Sequence, residues 1–258
     1  MKGGTQSVLK GNGFSQPGVC NVTVRYGTFT QYIKNYTDTE LNITSPPAAV
    51  PDAVTVSVSL NGQQFINDKT YHFRDIENTF TYFQDLFIQS YTPKSGPTYG
   101  GTTIKVQGMG FKQFKDDSGD EVDQKIFVRF KDAYSGAQIG NVTEGFDIQE
   151  DEFYFKTPPA ALDTKAVIEV TFNQKDWTVL NTDASKNYSY TYYNAPKIGS
   201  ISPSFGPVKS PNNESIQITG TNFACPDPDC KDLWVRFGDP VNGILVKGQK
   251  VGDNVVQA

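Results

Sequence analysis

Residues 100–111, Gly-Gly-Thr-Thr-Ile-Lys-Val-Gln-Gly-Met-Gly-Phe, decide the fold because the chain writes them three times. Residues 3–14 repeat them as Gly-Gly-Thr-Gln-Ser-Val-Leu-Lys-Gly-Asn-Gly-Phe. Residues 212–223 repeat them as Asn-Asn-Glu-Ser-Ile-Gln-Ile-Thr-Gly-Thr-Asn-Phe. Ser7 and Leu9, Ile104 and Val106, and Ile216 and Ile218 alternate with polar neighbours such as Lys105 and Gln217, the period of a half-buried strand. Each strand is expected to end at a Gly. Gly13, Gly110 and Asn222 hold the third turn position, and these residue types best tolerate a positive φ. The Phe that follows is expected to turn back into the core.

The repetition runs beyond this motif. Ile88–Pro97 matches Ile198–Pro207 with an offset of 110, and Phe80-Thr81-Tyr82-Phe83 matches Tyr190-Thr191-Tyr192-Tyr193 at the same offset. Ser45-Pro46-Pro47 returns as Thr157-Pro158-Pro159. Val24-Arg25-Tyr26 returns as Val128-Arg129-Phe130 and Val235-Arg236-Phe237. The Val-Arg-aromatic triplets read as a second strand with the Arg outward. The Pro-Pro pairs cannot donate ladder hydrogen bonds, so they mark an edge or a crossing between sheets. Val54, Val56, Val58 and Leu60, alternating with Thr55, Ser57 and Ser59, and in the next copy Val167, Glu169 and Thr171, alternating with Ile168, Val170 and Phe172, read as the long strands after that crossing. Four landmarks in one order make a chain of repeated modules, whose function scales with copy number rather than with one pocket.

With 23 Gly, 15 Pro, 18 Phe, 13 Tyr and no helical periodicity in 258 residues, the chain reads as all-β, in tandem sandwiches. The expected domains are 1–85, lacking its first strand, a complete 86–195, and 196–258, which stops before its own Pro-Pro landmark. Both ends read as cut, so the chain is expected to be a piece of a longer protein. Junctions are short and apolar (Phe83 to Ile88, Tyr193 to Ile198), which favours a semi-rigid rod over free swivelling. No apolar run approaches the ~20 residues of a membrane helix.

Together the landmarks resemble the IPT/TIG domain, an immunoglobulin-like module of plexins and some transcription factors. They are Pro-x-x-Gly-Pro, Gly-Gly-Thr, Gly-x-Gly/Asn-Phe, Val-x-Phe-Gly and Thr-Pro-Pro. Two departures stand out: Lys131 replaces the Gly of the fourth landmark in the second copy, and Asn212-Asn213-Glu214 replaces Gly-Gly in the third. The resemblance implies an immunoglobulin-like β-sandwich of a kind that serves as receptor ectodomain spacer, DNA-contacting module or linker in carbohydrate enzymes. Relatives built of many copies include plexin- and fibrocystin-like ectodomains, which implies an extracellular or cell-surface setting, the ciliary surface among them; the other use is as an intracellular axonemal or cytoskeletal scaffold. Implied partners are other proteins or further repeats of the same long chain.

A net charge of −5 and a pI of about 5.0, with scattered cations, argue against nucleic acid. Six glycosylation acceptor patterns stand at Asn21, Asn35, Asn42, Asn141, Asn187 and Asn213. With 17 Asn and 40 Ser or Thr in the chain, about two to three would arise by chance. The excess points to N-glycans and secretion, although turn-rich β chains also gather Asn and Thr. Cys225 and Cys230 offer a small loop disulfide, and Cys20 has no local partner. Asp116, Asp117, Asp120 and Asp123 crowd the loop after Phe111. They read either as a solvated tip or as oxygen ligands for Ca²⁺, the one cofactor candidate. His72, the sole histidine, reads as a strand residue, so no enzyme is expected. Trp177 and Trp234 read as core.

Overall fold

The computed structural model describes residues 2–19, 21–66, 79–114, 124–180, 189–207, 215–224 and 233–258. The first copy contributes β1 (Gln6–Lys10), β2 (Thr23–Tyr26), β3 (Phe29–Tyr32), β4 (Glu40–Thr44), β5 (Asp52–Ser59) and β6 (Thr79–Tyr82). The second contributes β7 (Phe87–Thr92), β8 (Ser95–Pro97), β9 (Thr103–Met109), β10 (Phe127–Asp132), β11 (Gln138–Glu144), β12 (Glu152–Lys156), β13 (Lys165–Thr171), β14 (Thr178–Val179) and β15 (Tyr190–Tyr193). The third contributes β16 (Lys197–Ser202), β17 (Gln217–Thr221), β18 (Leu233–Phe237), β19 (Ile244–Gly252) and β20 (Val255–Gln257).

In the second copy, one sheet runs β12-β9-β7 and the other β11-β10-β13-β15-β8, with β14 added to β13. Inward residues of the two sheets meet in one core: Ile104, Val106, Phe153 and Phe155 from the first, and Val128, Phe130, Ile168, Val170, Tyr190 and Tyr192 from the second. The first copy repeats six of these strands, with β1-β4 facing β3-β2-β5-β6; β7, β8 and β14 have no counterpart among its described residues. These are tandem immunoglobulin-like sandwiches. The third copy forms one five-stranded sheet, β16-β17-β20-β19-β18, over a small core of Ile218, Phe223 and Val256.

The repeated motif has the backbone its residue types demand. Gly13, Gly110 and Asn222 have φ of 84°, 85° and 63°. The rings after them, Phe14, Phe111 and Phe223, are all buried. Phe111 meets Phe153 edge-on at 4.9 Å between centroids. Burying such a ring stabilises by about 1.5–3 kcal/mol, which fixes the end of the strand to the core rather than leaving a loose turn.

The Pro-Pro pairs mark the crossing from β4 to β5 and from β12 to β13, where the chain changes sheet. At that corner the landmarks bind one another. Gly101 N–H donates to Thr157 O (2.8 Å), Thr157 N–H returns a bond to Thr102 O (3.0 Å), and Thr102 N–H donates to Thr157 Oγ1 (3.1 Å). Gly4, Thr5 and Ser45 repeat the pattern at 2.8, 3.0 and 3.1 Å. The hydroxyl of Tyr192 then donates to Pro158 O, and that of Tyr82 to Pro46 O, each at 2.9 Å. Gly100 lies so close to this corner that a Cβ on it would sit 2.6 Å from the Pro158 carbonyl carbon; the Cβ of Gly3 would meet Pro46 at the same distance. The Gly-Gly-Thr, Ser/Thr-Pro-Pro and aromatic landmarks are therefore one device that ties the two sheets together.

The Lys131 departure has a simple cause. The first copy turns at once after β2 through Gly27, with φ of 53°. In the second, β10 continues through Lys131 and Asp132, and the turn comes at Gly136. Lys131 is an ordinary strand residue there, 3.3 Å from Glu169.

Candidate interaction surfaces

The two tryptophans are not in the core. Trp234 is 57% exposed on β18. Trp177 lies half-buried on the outer face of the second copy, its ring under the Arg129 guanidinium at 3.9 Å. Arg129 also meets Glu169 across the β10–β13 ladder at 2.5 Å. The first copy carries the same arrangement: Arg25 stacks on Phe65 at 4.1 Å and donates to Ser57 Oγ at 3.3 Å. A cation over an aromatic face at that range is attracted by the ring quadrupole.

What places those rings is a turn that the sequence reading missed. Asn173 Oδ1 accepts from Lys175 N–H and Asp176 N–H at 2.9 Å, an Asx turn that brings the next residue, Trp177, back over the sheet. Asn61 Oδ1 accepts from Gln63 and Gln64 N–H at 3.0 and 3.1 Å, and Phe65 follows. The available signal was Asn-x-x-x-aromatic at positions 61–65 and 173–177, offset by 112 residues as are the Pro-Pro pairs.

The same turn reaches the first copy. Thr5 Oγ1 donates to Asp176 Oδ2 at 2.8 Å. Phe83, the last residue of the Phe-Thr-Tyr-Phe landmark, packs against Phe114 and Phe172 of the second core, with centroids 6.0 and 5.2 Å away. Phe80 packs on the first core with Tyr82 edge-on against it at 4.9 Å, and Phe83, just past β6, packs on the second, so one short landmark is shared between two modules. Gln113 clasps the linker: Gln84 N–H donates to its Oε1 (2.7 Å), and its Nε2 donates back to Gln84 O (3.0 Å). Beside this joint lies a cleft of about 550 Å³, lined by Lys2, Thr5, Tyr82, Asp85, Lys175 and Trp177 among others. Its wall mixes aromatic rings with the charged side chains of Lys2, Asp85, Lys175 and Asp176. At the next joint Asn222 Nδ2 donates to Ala195 O at 3.2 Å.

Asn35, Asn42 and Asn141 are exposed: Asn35 follows β3, Asn42 lies on β4 and Asn141 on β11. Each of those strands is at the edge of its sheet. Asn21 is exposed as a residue, but its Nδ2 lies close against Gly62, where a Cβ would come within 2.7 Å. Asn187 and Asn213, the acidic cluster Asp116, Asp117, Asp120 and Asp123, the pair Cys225 and Cys230, and also Cys20 and His72 lie outside the described residues. Among the described residues no three His, Cys, Asp or Glu side chains converge as a metal site. Among the described residues there is no helix long and apolar enough to cross a membrane.

Residues 86–192 match the family model of the IPT/TIG domain. No curated protein sequence matches the chain. Among solved structures, it is similar to the plexin A4 full extracellular region, domains 1 to 10, at 18% identity and a TM-score of 0.44, covering 100% of this chain and 19% of that one. A plexin A4 extracellular structure with domains 1 to 8 gives 13% and 0.34, covering 99% and 29%. The FN1–FN3 domains of chicken CNTN1 give 9% and 0.31, covering 98% and 83%. The chain thus spans under a third of the length of either plexin A4 structure.

Proposed function

With residues 86–192 an IPT/TIG domain, we propose that the chain is a non-catalytic structural and interaction segment of a larger cell-surface or secreted glycoprotein. Its three modules, 1–85, 86–195 and 196–258, act as a semi-rigid spacer that sets the distance between binding or anchoring parts of a longer chain. The observation that carries this is the joint between the first two modules. Phe83 is seated in the second core, Gln113 holds the linker backbone, and Thr5 bonds to Asp176. A linker anchored on both sides transmits orientation, whereas a free one would not. The working surfaces are the sheet faces and edges rather than the cleft, and their partners are other proteins or neighbouring repeats.

The surface setting is supported by the sequons. Three of the six acceptors stand exposed on or beside edge strands, where a glycan fits without disturbing a core and where a bulky polar group guards against edge-to-edge pairing. Glycopeptide mapping of the native protein is expected to find glycans at Asn35, Asn42 and Asn141, with Asn21 less occupied because its amide nitrogen packs on Gly62. Unmodified asparagine at all of these positions would put the segment inside the cell, as a docking scaffold of the axoneme or cytoskeleton.

A further inference from the structure

Of the six acceptor asparagines only Asn35 follows an aromatic residue by three positions, in Tyr32-Ile33-Lys34-Asn35-Tyr36-Thr37; the others have Gly18, Thr39, Gln138, Ala184 and Ser210 there. Tyr32 ends β3, the edge strand of its sheet, and is 52% exposed. Its partner across the ladder is Thr23, which offers the ring nothing to stack on. The chain that follows is pinned on both sides of Asn35. Ile33 is buried, and its N–H donates to Val22 O at 2.9 Å. Tyr36 packs on the first core and bridges to Leu41. Thr37 N–H donates to Glu40 O, and Glu40 N–H donates back to Thr37 Oγ1, each at 3.0 Å. Ile33 and Tyr36 thus turn inward, while Lys34 and Asn35 between them stay in solvent, as Tyr32 does. Three residues span at most about 11 Å, so a sugar on Asn35 lies within reach of the ring.

We propose that Tyr32 is the seat of the glycan on Asn35, its exposed ring packing on the apolar face of the first N-acetylglucosamine. The face of an aromatic ring carries negative partial charge, and the C–H groups of a sugar carry positive. Contact is therefore attractive, and it also takes apolar surface on both partners out of water. Tyr32 holds this sugar in place, whereas the sugars on Asn42 and Asn141, with no ring three residues before them, swing free. A seated sugar turns the β3 edge into a fixed polar wall, closed to pairing with another strand. The inference rests on the surface-glycoprotein reading and deepens it, by assigning one acceptor a structural partner within the chain.

The test uses the full chain, secreted from cultured cells with isotope-labelled sugars and trimmed by endoglycosidase to the first N-acetylglucosamine at each site. Sugar signals are assigned by Asn35→Gln, Asn42→Gln and Asn141→Gln. In NMR spectra the ring current of Tyr32 is expected to move the Asn35 sugar signals upfield of those at Asn42 and Asn141. Tyr32→Leu is expected to abolish the displacement and Tyr32→Phe, which keeps the ring, to retain it. The Asn42 and Asn141 signals stay in place throughout and report an intact fold. Enzymatic release of the untrimmed glycan from the folded chain is expected to be about threefold slower at Asn35 than at Asn141, and equal in Tyr32→Leu. An Asn35 signal coincident with the other two overturns the proposal, as does a displacement that survives Tyr32→Leu. A bare Asn35 beside occupied Asn42 and Asn141 overturns the seat alone. Native protein bare at every acceptor overturns the surface reading, and the seat with it.

Discussion

Gly100→Ala will destabilise the second module by on the order of 3 kcal/mol, while Gly101→Ala, one residue on, will cost only about 1 kcal/mol. Both residues have a positive φ, 75° and 77°, and an L side chain there costs roughly 1–2 kcal/mol. The difference lies in their neighbours. A Cβ on Gly100 would stand 2.6 Å from both the Pro158 carbonyl carbon and the Pro159 nitrogen, backbone atoms at the crossing between sheets, whereas nothing lies within 4 Å of a Cβ on Gly101. Backbone cannot give way without pulling Thr157 off Gly101 and Thr102, and Tyr192 off Pro158. Hydrogen exchange of β9 and β12 amides in the full chain reads the effect on this module alone. Equal losses at the two positions would mean that the corner is not the rigid tie described above.

Raising the pH from 10 to 12 will unfold the first two modules, and buried tyrosines will be the cause. Burial pushes the Tyr26 phenol from the ordinary 10.0 up to about 12, with Tyr82 nearby adding to it. Burial also pushes Tyr190 up to about 12 and raises Tyr192 further still. Phenols of this kind stay protonated in the folded chain after their unfolded counterparts have ionised. Between those pH values the folded state binds more protons, so stability is complete below about pH 10 and falls as pH rises. Each such phenol removes on the order of 1 kcal/mol per pH unit in that window. Tyr26 contributes a further liability, since its buried hydroxyl has no hydrogen-bond partner among the described residues. Phenolate absorbance should therefore rise in one step with loss of β structure by circular dichroism. A gradual titration with the β signal intact would show these rings to be open to solvent.

The parts of this fold legible in the sequence are those where geometry admits few residue types. A turn at φ of 63–85° leaves Gly or Asn, a crossing beside a tightly packed Gly leaves Pro-Pro, and a core-facing position leaves Val, Ile or Phe. The turn and core requirements recur in all three copies and the Pro-Pro crossing in the first two, so the repeat announced itself. The Asn61 and Asn173 turns recur too, but Gly-Gln-Gln and Gln-Lys-Asp between Asn and ring share no property a pattern would catch. Without that turn Trp177 reads as one more large apolar residue, and only the stacked Arg129 explains its place at the surface. Trp234 misleads for another reason: it alternates with Leu233 and Val235, the β18 side chains that pack on the small third core. Surface chemistry was the least legible. The sequons themselves are plain in the sequence, but which of them stand exposed on an edge strand depends on which side of a strand meets water, a property of the assembled sheets.

Small-angle scattering of the monomeric chain, alongside Phe83→Ala, tests the central claim most directly. The account predicts an elongated particle whose distance distribution is skewed to long separations, and a broader one once Phe83 no longer fills the space between Phe114 and Phe172. A compact, symmetric distribution for the wild-type chain, unchanged by the substitution, would contradict modules stacked in series through that joint.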